Sequence, residues 1–362
     1  MIPSARALLW RSSARPIRRS RSAGCLTSIG HRARRCVAID KAIDPALTRR
    51  FAADLDALWH ERSDCDTLGV AVSGGPDSLA LMLLANEVLR GKIEVASVDH
   101  GLRAESADEV RFVAEICEKL GIGHSSLTIE VAPGNLQAEA RRARYDALSH
   151  WVISKGLAAL ATAHHADDQV ETLVMRLNRG SGLGGLAGIR PRTVVPGSGV
   201  TLMRPLLGWR KAELEALVRA SGLKPVRDPS NEDDSFDRVE VRKALADADW
   251  IDAEAWSRSA AHLAEALQFV EDQAKEDFAA NVLERGEALA YVPRAPSLVV
   301  TETVVAIMAN LGASITRREA AMMAARLGRG ENASMAGILV TAERSANDAT
   351  WLFRPEPPRR TG

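Results

Sequence analysis

The chain has 362 residues, 46% of them hydrophobic, with 47 Lys+Arg against 47 Asp+Glu; this suits about two globular domains. No apolar run approaches the ~20 residues of a membrane span, so no membrane partner is expected, and four cysteines (Cys25, Cys36, Cys65, Cys117) without a C-x-x-C pair exclude a disulfide scaffold, fit a cytoplasmic location and give no zinc or iron–sulfur signature. The zero net charge does not exclude a nucleic-acid partner, because residues 1–39 hold nine arginines and no acid, which leaves 38 basic against 47 acidic residues, a formal −9, over 40–362.

Residues 1–45 read as an Arg/Ser-rich, disordered leader outside the fold. The composition of 1–39 resembles an organellar transit peptide. The simpler readings are a disordered tail or an over-extended start site, and a basic arm that helps hold RNA is a further one. A secretory signal is not expected, since no apolar core follows the charges.

Over 46–62, Leu47, Phe51, Leu55, Leu58 and Trp59 recur at helical spacing. LGVAV (68–72) is a short apolar run that ends in Ser73-Gly74-Gly75-Pro76-Asp77-Ser78, and LALMLLANEVL (79–89) reads as a buried helix. Strands are predicted at 93–100, 124–131 and 157–165, and helices at 107–121, 135–156 and 167–180. Alternation at this spacing predicts an α/β domain over 46–245, a parallel sheet with helices on both faces. Ligands then bind at the carboxyl ends of the strands. A Gly/Pro/Ser-rich loop (181–200), RPLL (204–207), a helix at 209–222 and the polar stretch 227–238 follow. A composition shift near 245–250 suggests a boundary, and 250–355 reads as a smaller, mostly helical domain. There Trp256, Ala260, Leu263, Leu267 and Val270 mark a helix face, Thr316 and Glu319 form a capping-box pattern, and GILV (337–340) with TWLF (350–353) suggests a hairpin.

The strongest chemical signal is Ser73–Ser78. It leaves a buried strand and opens a helix. Two glycines let backbone approach a phosphate, the helix start offers unpaired N–H groups, Ser73 and Ser78 add hydroxyls, and Pro76 suits the first turn. The Walker pattern, with its lysine, does not occur, so pyrophosphate is the expected ligand. Asp77 would repel phosphate unless Mg²⁺ bridges the two. The G-x-G-x-x-G match at 180–185 follows a helix, not a strand, so a dinucleotide site is not expected there.

Val98-Asp99-His100-Gly101-Leu102-Arg103 ends the next strand and brings Asp99, His100 and Arg103 near this loop. Arg141 and Arg144 share a face of the long helix and suit the charge that develops on a phosphate. His164-His165-Ala166-Asp167-Asp168-Gln169-Val170-Glu171 enters another helix. Its acids could simply cap that helix, but a site for Mg²⁺ or a cationic amine is the better reading.

Here the sequence resembles the N-type ATP-pyrophosphatase (PP-loop) superfamily, whose members use S-G-G-x-D-S to adenylate a carbonyl oxygen. Seven motifs in order over 68–245 narrow the resemblance: S-G-G-P-D-S, V-D-H-G-L-R, E-A-R-R-A-R-Y, T-A-H-H-A-D-D-Q-V-E-T, N-R-G-S-G-L-G-G-L-A-G-I, R-P-L-L and D-P-S-N-E-D-D-S-F-D-R. The series is similar to that of the tRNA(Ile)-lysidine synthase family. Two positions depart from its pattern: Ser97 stands where histidine is frequent, and Val239 where asparagine is usual.

The resemblance implies an adenine nucleotide alpha hydrolase-like fold and two chemical steps. O2 of the wobble cytidine of a CAU-anticodon tRNA(Ile) attacks the α-phosphate of ATP. The ε-amine of L-lysine then displaces AMP from C2, which changes decoding from AUG to AUA. ATP would be bound by Ser73, Gly74, Gly75, Pro76, Asp77, Ser78, Asp99, His100 and Arg103, with Asp77 toward Mg²⁺. Asp77, Asp168, Arg141 and Arg144 would carry catalysis. His165, Asp167, Asp168, Glu171, Arg179, Arg238 and Arg242 would meet lysine or tRNA, with Asp168 holding the amine. Asp167, Asp168 and His165 are the candidates for removing the amine's proton. The C-terminal domain would contact tRNA by fold analogy, and a homodimer is compatible with the resemblance. The competing readings are a tRNA-cytidine thiolating enzyme, which lacks its paired cysteines here, a small-molecule amidating ATP-pyrophosphatase, and a nucleotide- or RNA-binding protein without catalysis.

Overall fold

The computed structural model describes residues 43–99, 104–129, 136–225, 237–246, 248, 250–344 and 349–356. The leader over 1–42, His100–Arg103 and the polar stretch 226–236 lie outside them. The first sheet has six strands: β1 (Leu68–Ala71), β2 (Ile93–Asp99), β3 (Gly123–Thr128), β4 (Ala159–Ala161), β5 (Arg192–Val194) and β6 (Thr201–Met203). Their order is β3-β2-β1-β4-β6-β5. All pairings are parallel except β5 with β6. The helices around it are α1 (Pro45–Leu58), α2 (Pro76–Val88), α3 (Ala104–Leu120), α4 (Leu136–Lys155), α5 (Ala166–Asn178), α6 (Leu183–Leu186), α7 (Lys211–Ala220) and α8 (Asp237–Ala246).

Successive strand residues face opposite sides of a sheet, and this sheet is apolar on both. Val70, Val95, Ala161 and Met203 join one core with α1, α2, α3 and α7. Their neighbours Ala71, Ala96, Leu160 and Leu202 join a second core with Leu148, Trp151 and Val152 of α4. This is the two-faced parallel sheet expected from the unbroken apolar runs. Gly69 belongs to the α4 side, where an added Cβ would stand 2.8 Å from the Trp151 ring. Helix α2 is buried at every position from Ser78 to Ala85, and each of its enclosed leucines contributes about 1.5–3 kcal/mol relative to exposure. The predicted loop at 181–200 holds α6 and β5, and β5–β6 extends the sheet as a hairpin.

The described residues fall into two compact units, one ending at Ala261 and the other beginning at His262. The division lies inside α9 (Ala253–Asn281), beyond the composition shift at 245–250. The second unit adds β7 (Val282–Arg285), β8 (Ala288–Tyr291), α10 (Ser297–Asn310), α11 (Arg317–Gly328), β9 (Ala333–Met335), β10 (Ile338–Arg344) and β11 (Ala349–Pro355). The predicted hairpin is β10–β11, with Val340 opposite Phe353. It is the middle of a five-stranded antiparallel sheet, β7-β8-β11-β10-β9, so this unit, mostly helical as expected, carries a full sheet in place of a single hairpin. Thr316 and Glu319 make the expected capping box on α11. No described helix is long and apolar enough to cross a membrane.

Candidate active site

In chain order β1, β2 and β3 run outward to one side, and β4 returns to the other side of β1. The carboxyl ends of β1 and β4 therefore flank the topological switch point, where open α/β sheets bind ligands. Ser73–Ser78 follows β1, and His164-His165 follows β4.

Gly74 has φ 86, a left-handed conformation that side chains with a Cβ rarely adopt. It turns the chain so that Gly75 caps α2 with no side-chain cap bond and Pro76 begins the helix. The first N–H groups of α2 thus carry no side-chain cap, as an anion site requires. Ser78 braces the loop from inside: its Oγ accepts from Ser73 N–H at 3.2 Å and donates to the Gly75 carbonyl at 3.0 Å. Ser73 is the exposed hydroxyl, 3.3 Å from Ser78 Oγ. Asp77 lies in the first turn; its Oδ1 is buried with no hydrogen-bond partner, and its Oδ2 is 3.6 Å from His165 Nε2. Such an orphaned carboxylate oxygen in the first turn of α2 suits a bound cation.

Helix α5 begins with a capping box. Asp168 Oδ2 accepts from His165 N–H at 3.0 Å, and His165 Nδ1 is 3.4 Å from Asp168 N. His165 is buried among three carboxylates, with Nε2 3.6 Å from both Asp77 and Asp168 and Nδ1 3.5 Å from Asp167. Burial opposes its charge, but Asp167, Asp77 and Asp168 outweigh that and raise its pKa to about 10. His165 is therefore an imidazolium at neutral pH. Nδ1 then donates toward Asp167, and the cap is carried by the Asp168 carboxylate.

The other acids are drawn in by arginines distant in sequence. Asp167 Oδ1 accepts from Arg210 Nη2 at 3.1 Å and its Oδ2 from Lys211 N–H at 2.8 Å, which ties α5 to the start of α7. Burial raises the Asp167 pKa, but His165, Lys211 N–H and Arg210 hold it far below the usual carboxylate range. Asp168 Oδ1 accepts from Arg238 Nη2 at 2.7 Å. Glu171, one turn on and only 4% exposed, accepts from Arg238 Nε at 2.6 Å and Arg242 Nε at 2.7 Å. Burial pushes Glu171 upward, but both arginines leave it below its ordinary value. These bonds lock α8 against α5, with Ala166, Val170, Ala253 and Trp256 packed beside them.

A second, cationic side is built from α4, β4 and β6. Arg141 of α4 is exposed and lies 5.1 Å from the Tyr145 ring centroid. Arg144, one turn on, is more enclosed, and burial lowers its pKa. Arg204 follows β6 and is 6% exposed; its Nη1 donates to the Arg190 carbonyl at 2.6 Å and its Nε has no partner. His164 lies among these charges, its Nδ1 3.0 Å from Thr162 Oγ1.

The structure thus brings together Asp77, His165, Asp167, Asp168, Glu171, Arg238 and Arg242. Asp99 ends β2, where its carboxylate accepts from Ser106 Oγ and its carbonyl from Ile129 N–H. His100, Arg103 and the Val239 side chain lie outside the described residues. Ser97 is buried and bonds His124 Nε2 at 3.0 Å. Arg179 stands at the far end of α5 from the carboxylates, about 16 Å along the helix from Asp168. His164 and Gln169 were not singled out by sequence reasoning. Gln169 clamps Ile189, Nε2 donating to the carbonyl at 2.8 Å and Oε1 accepting from N–H at 2.7 Å. Only its place inside the histidine–aspartate motif signals it. Among the described residues, no group of three or more His, Cys, Asp or Glu could hold a metal ion.

Residues 47–248 match the family model of the PP-loop domain. The chain is 44% identical over 317 residues to a tRNA(Ile)-lysidine synthase of Novosphingobium aromaticivorans, covering 86% of this chain and 94% of that protein. To the tRNA(Ile)-lysidine synthase of Zymomonas mobilis it is 37% identical over 300 residues, 81% and 89% of the two chains. A solved U34-tRNA thiolase from Methanococcus maripaludis is similar in fold, with a TM-score of 0.51 at 18% identity over 61% of this chain and 80% of that one. By the extent of these matches, the chain belongs to the tRNA(Ile)-lysidine synthase family.

Proposed function

We propose that the protein uses ATP to join free L-lysine to C2 of the wobble cytidine of the CAU-anticodon tRNA(Ile), in the cytoplasm and through an O2-adenylated cytidine. The observation that carries this reading is the adjacency of two half-sites. The phosphate loop after β1 and the carboxylate cluster after β4 meet at His165, which stands 3.6 Å from Asp77 on one side and 3.6 Å from Asp168 on the other. A nucleotide phosphate and a cationic amine can then be held side by side.

In the first step, the α2 amides and Ser73 hold pyrophosphate, and Arg141 and Arg144 face the reacting phosphate. Mg²⁺, held by Asp77 and the substrate's phosphates, would neutralise phosphate charge. In the second, Asp168 receives the lysine ammonium in exchange for the Arg238 guanidinium that pairs with it in the free protein. Glu171 and Arg242 keep α8 in place while that exchange occurs. Asp99 supports the nucleotide side from the end of β2. The base must leave its stack to reach this site. Arg179, Arg190, Arg192 and Arg210 offer phosphate contacts around it, and the unit beginning at His262 offers a second surface for the tRNA.

The test is incubation with ATP and the tRNA in the absence of lysine. Adenylated tRNA should form, and Asp77→Ala should abolish it. Asp168→Ala should lose lysine transfer more than adenylation. A normal adenylation rate in the Asp77 variant would take that residue out of the first step, and equal losses in the Asp168 variant would take Asp168 out of lysine binding.

A further inference from the structure

If the protein transfers lysine as proposed above, the ε-ammonium must lose a proton before it attacks, and the groups nearest Asp168 are poorly suited to take it. His165 already carries its proton between three carboxylates. Asp167 is held on both oxygens by Arg210 and Lys211 N–H. We propose that His164 is the base that takes this proton, with Thr162 fixing its ring; the assignment rests on the lysine-transfer reading.

The geometry is that of an oriented imidazole. His164 follows β4 at the switch point. Its Nδ1 is 3.0 Å from Thr162 Oγ1. Thr162 is itself buried and pinned, its N–H donating to the Met203 carbonyl at 3.0 Å. With Nδ1–H donating to this fixed oxygen, Nε2 keeps its lone pair, which is the pattern of a histidine base held in one tautomer. His164 directly precedes His165, whose Nε2 is 3.6 Å from Asp168 Oδ2, and Arg238, which bonds Asp168 at 2.7 Å and Glu171 at 2.6 Å, is among the charges that lower the His164 pKa.

The groups around the ring explain when it would act. Burial, then the charges of Arg204 after β6, Arg141 and Arg144 on α4 and Arg238 on α8, hold His164 well below the ordinary histidine value. It is neutral at pH 7, as a base must be, yet weak. Tyr145, beside Arg141 on α4, hydrogen-bonds Arg204 from the same side. A phosphoryl group set among these arginines offsets their charge and raises the basicity of the ring. The adenylated cytidine brings that group. The base therefore gains strength only once the acceptor exists, which orders the two half-reactions.

In the step itself, the lysine ε-NH₃⁺ gives one proton to His164 Nε2. The freed lone pair forms the C2–N bond as the C2–O2 bond breaks, and AMP leaves carrying that oxygen. His164 then returns its proton to water.

The experiment is a single turnover. The protein first adenylates tRNA(Ile) with ATP alone and is then supplied with lysine across about pH 6–9. Wild-type transfer should be nearly flat between about pH 7 and 9. In His164→Asn and His164→Gln, transfer should fall at least about a hundredfold more than adenylation does. The logarithm of the remaining rate should rise with a slope of about one per pH unit, because only lysine already deprotonated in water can react. Thr162→Val, which removes the Nδ1 acceptor, should share the sloped profile, and Thr162→Ser should restore the flat one. A His164 variant whose transfer falls no more than adenylation, or whose profile stays flat, overturns the assignment. Failure of the wild type to form adenylated tRNA overturns the lysine-transfer reading instead, and the base assignment with it.

Discussion

Gly188→Ala tests how the segment after α5 supports the site. Gly188 has φ 62, and an added Cβ would stand 2.5 Å from Gln169 Oε1. The amide cannot swing aside, because Gln169 is 3% exposed and holds Ile189 through both of its polar atoms. The positive φ costs an alanine about 1–2 kcal/mol. Losing two hydrogen bonds costs about 1 kcal/mol each, with more if the buried amide stays unpaired. The sum is about 3–5 kcal/mol. In a Gln169→Ala background the clash is gone, and Gly188→Ala should cost only the strain. The pair should therefore show a coupling of about 2–3 kcal/mol, read from urea unfolding of the wild type, the two single variants and the double variant. Costs that add within about 0.5 kcal/mol would refute the clamp. The effect should reach the site as well. Ile189 precedes Arg190, whose carbonyl receives Arg204 Nη1 at 2.6 Å, so Gly188→Ala should also slow the reaction at saturating substrate.

Three further variants probe the cluster. Glu171→Gln should destabilise the protein by about 1–3 kcal/mol at pH 7, less than a fully buried pair because Arg238 and Arg242 are 38% and 36% exposed. Glu171 titrates below its ordinary value in the fold, so its contribution is full above the unfolded pKa of about 4.3 and is lost as the pH falls through the lower folded value. The gap between wild type and variant in two-state unfolding should thus close in acid; a gap unchanged below about pH 4 would contradict the pairing. Asp167→Ala should release the Lys211 N–H, held at 2.8 Å, and speed amide hydrogen exchange in the first turn of α7 roughly tenfold, with unaltered exchange speaking against the tie. Asp77→Asn should lower cytidine adenylation by about 10²–10³-fold, measured as AMP attached to tRNA, and a loss under tenfold would remove Asp77 from the transition state.

Legibility in the sequence followed contiguity. The Ser73–Ser78 loop was readable because strand, turn and helix start lie within a few residues, and each residue type has a local reason. The α5 start was readable for the same reason, and the Asp168 carboxylate does cap it by accepting from His165 N–H. The partners of its acids were not, since Arg210 lies 43 residues from Asp167 and Arg238 lies 70 from Asp168. Only folding brings such charges together, and it changes the chemistry: His165, a candidate base by sequence, becomes a fixed cation. His164 was hidden by the same effect, because its low basicity comes first from burial in the fold and then from four arginines on three other segments. Of the strands of three or four residues, β1 and β4 were legible from their apolar runs, whereas β5 to β9 were not. β5, β6 and β9 are too short to show a period of two, and β7 exposes three of its four residues. The longer β10 and β11 were legible as a hairpin, but their outer neighbours were not, so the C-terminal sheet was read as helical surroundings.

The proposed reaction attaches lysine to one tRNA at the expense of ATP. Incubation with ATP, radiolabelled lysine and total tRNA tests it most directly. Label should appear in a single tRNA species, the CAU-anticodon tRNA(Ile), and no other labelled amino acid should replace lysine. AMP release with no label in tRNA would contradict it.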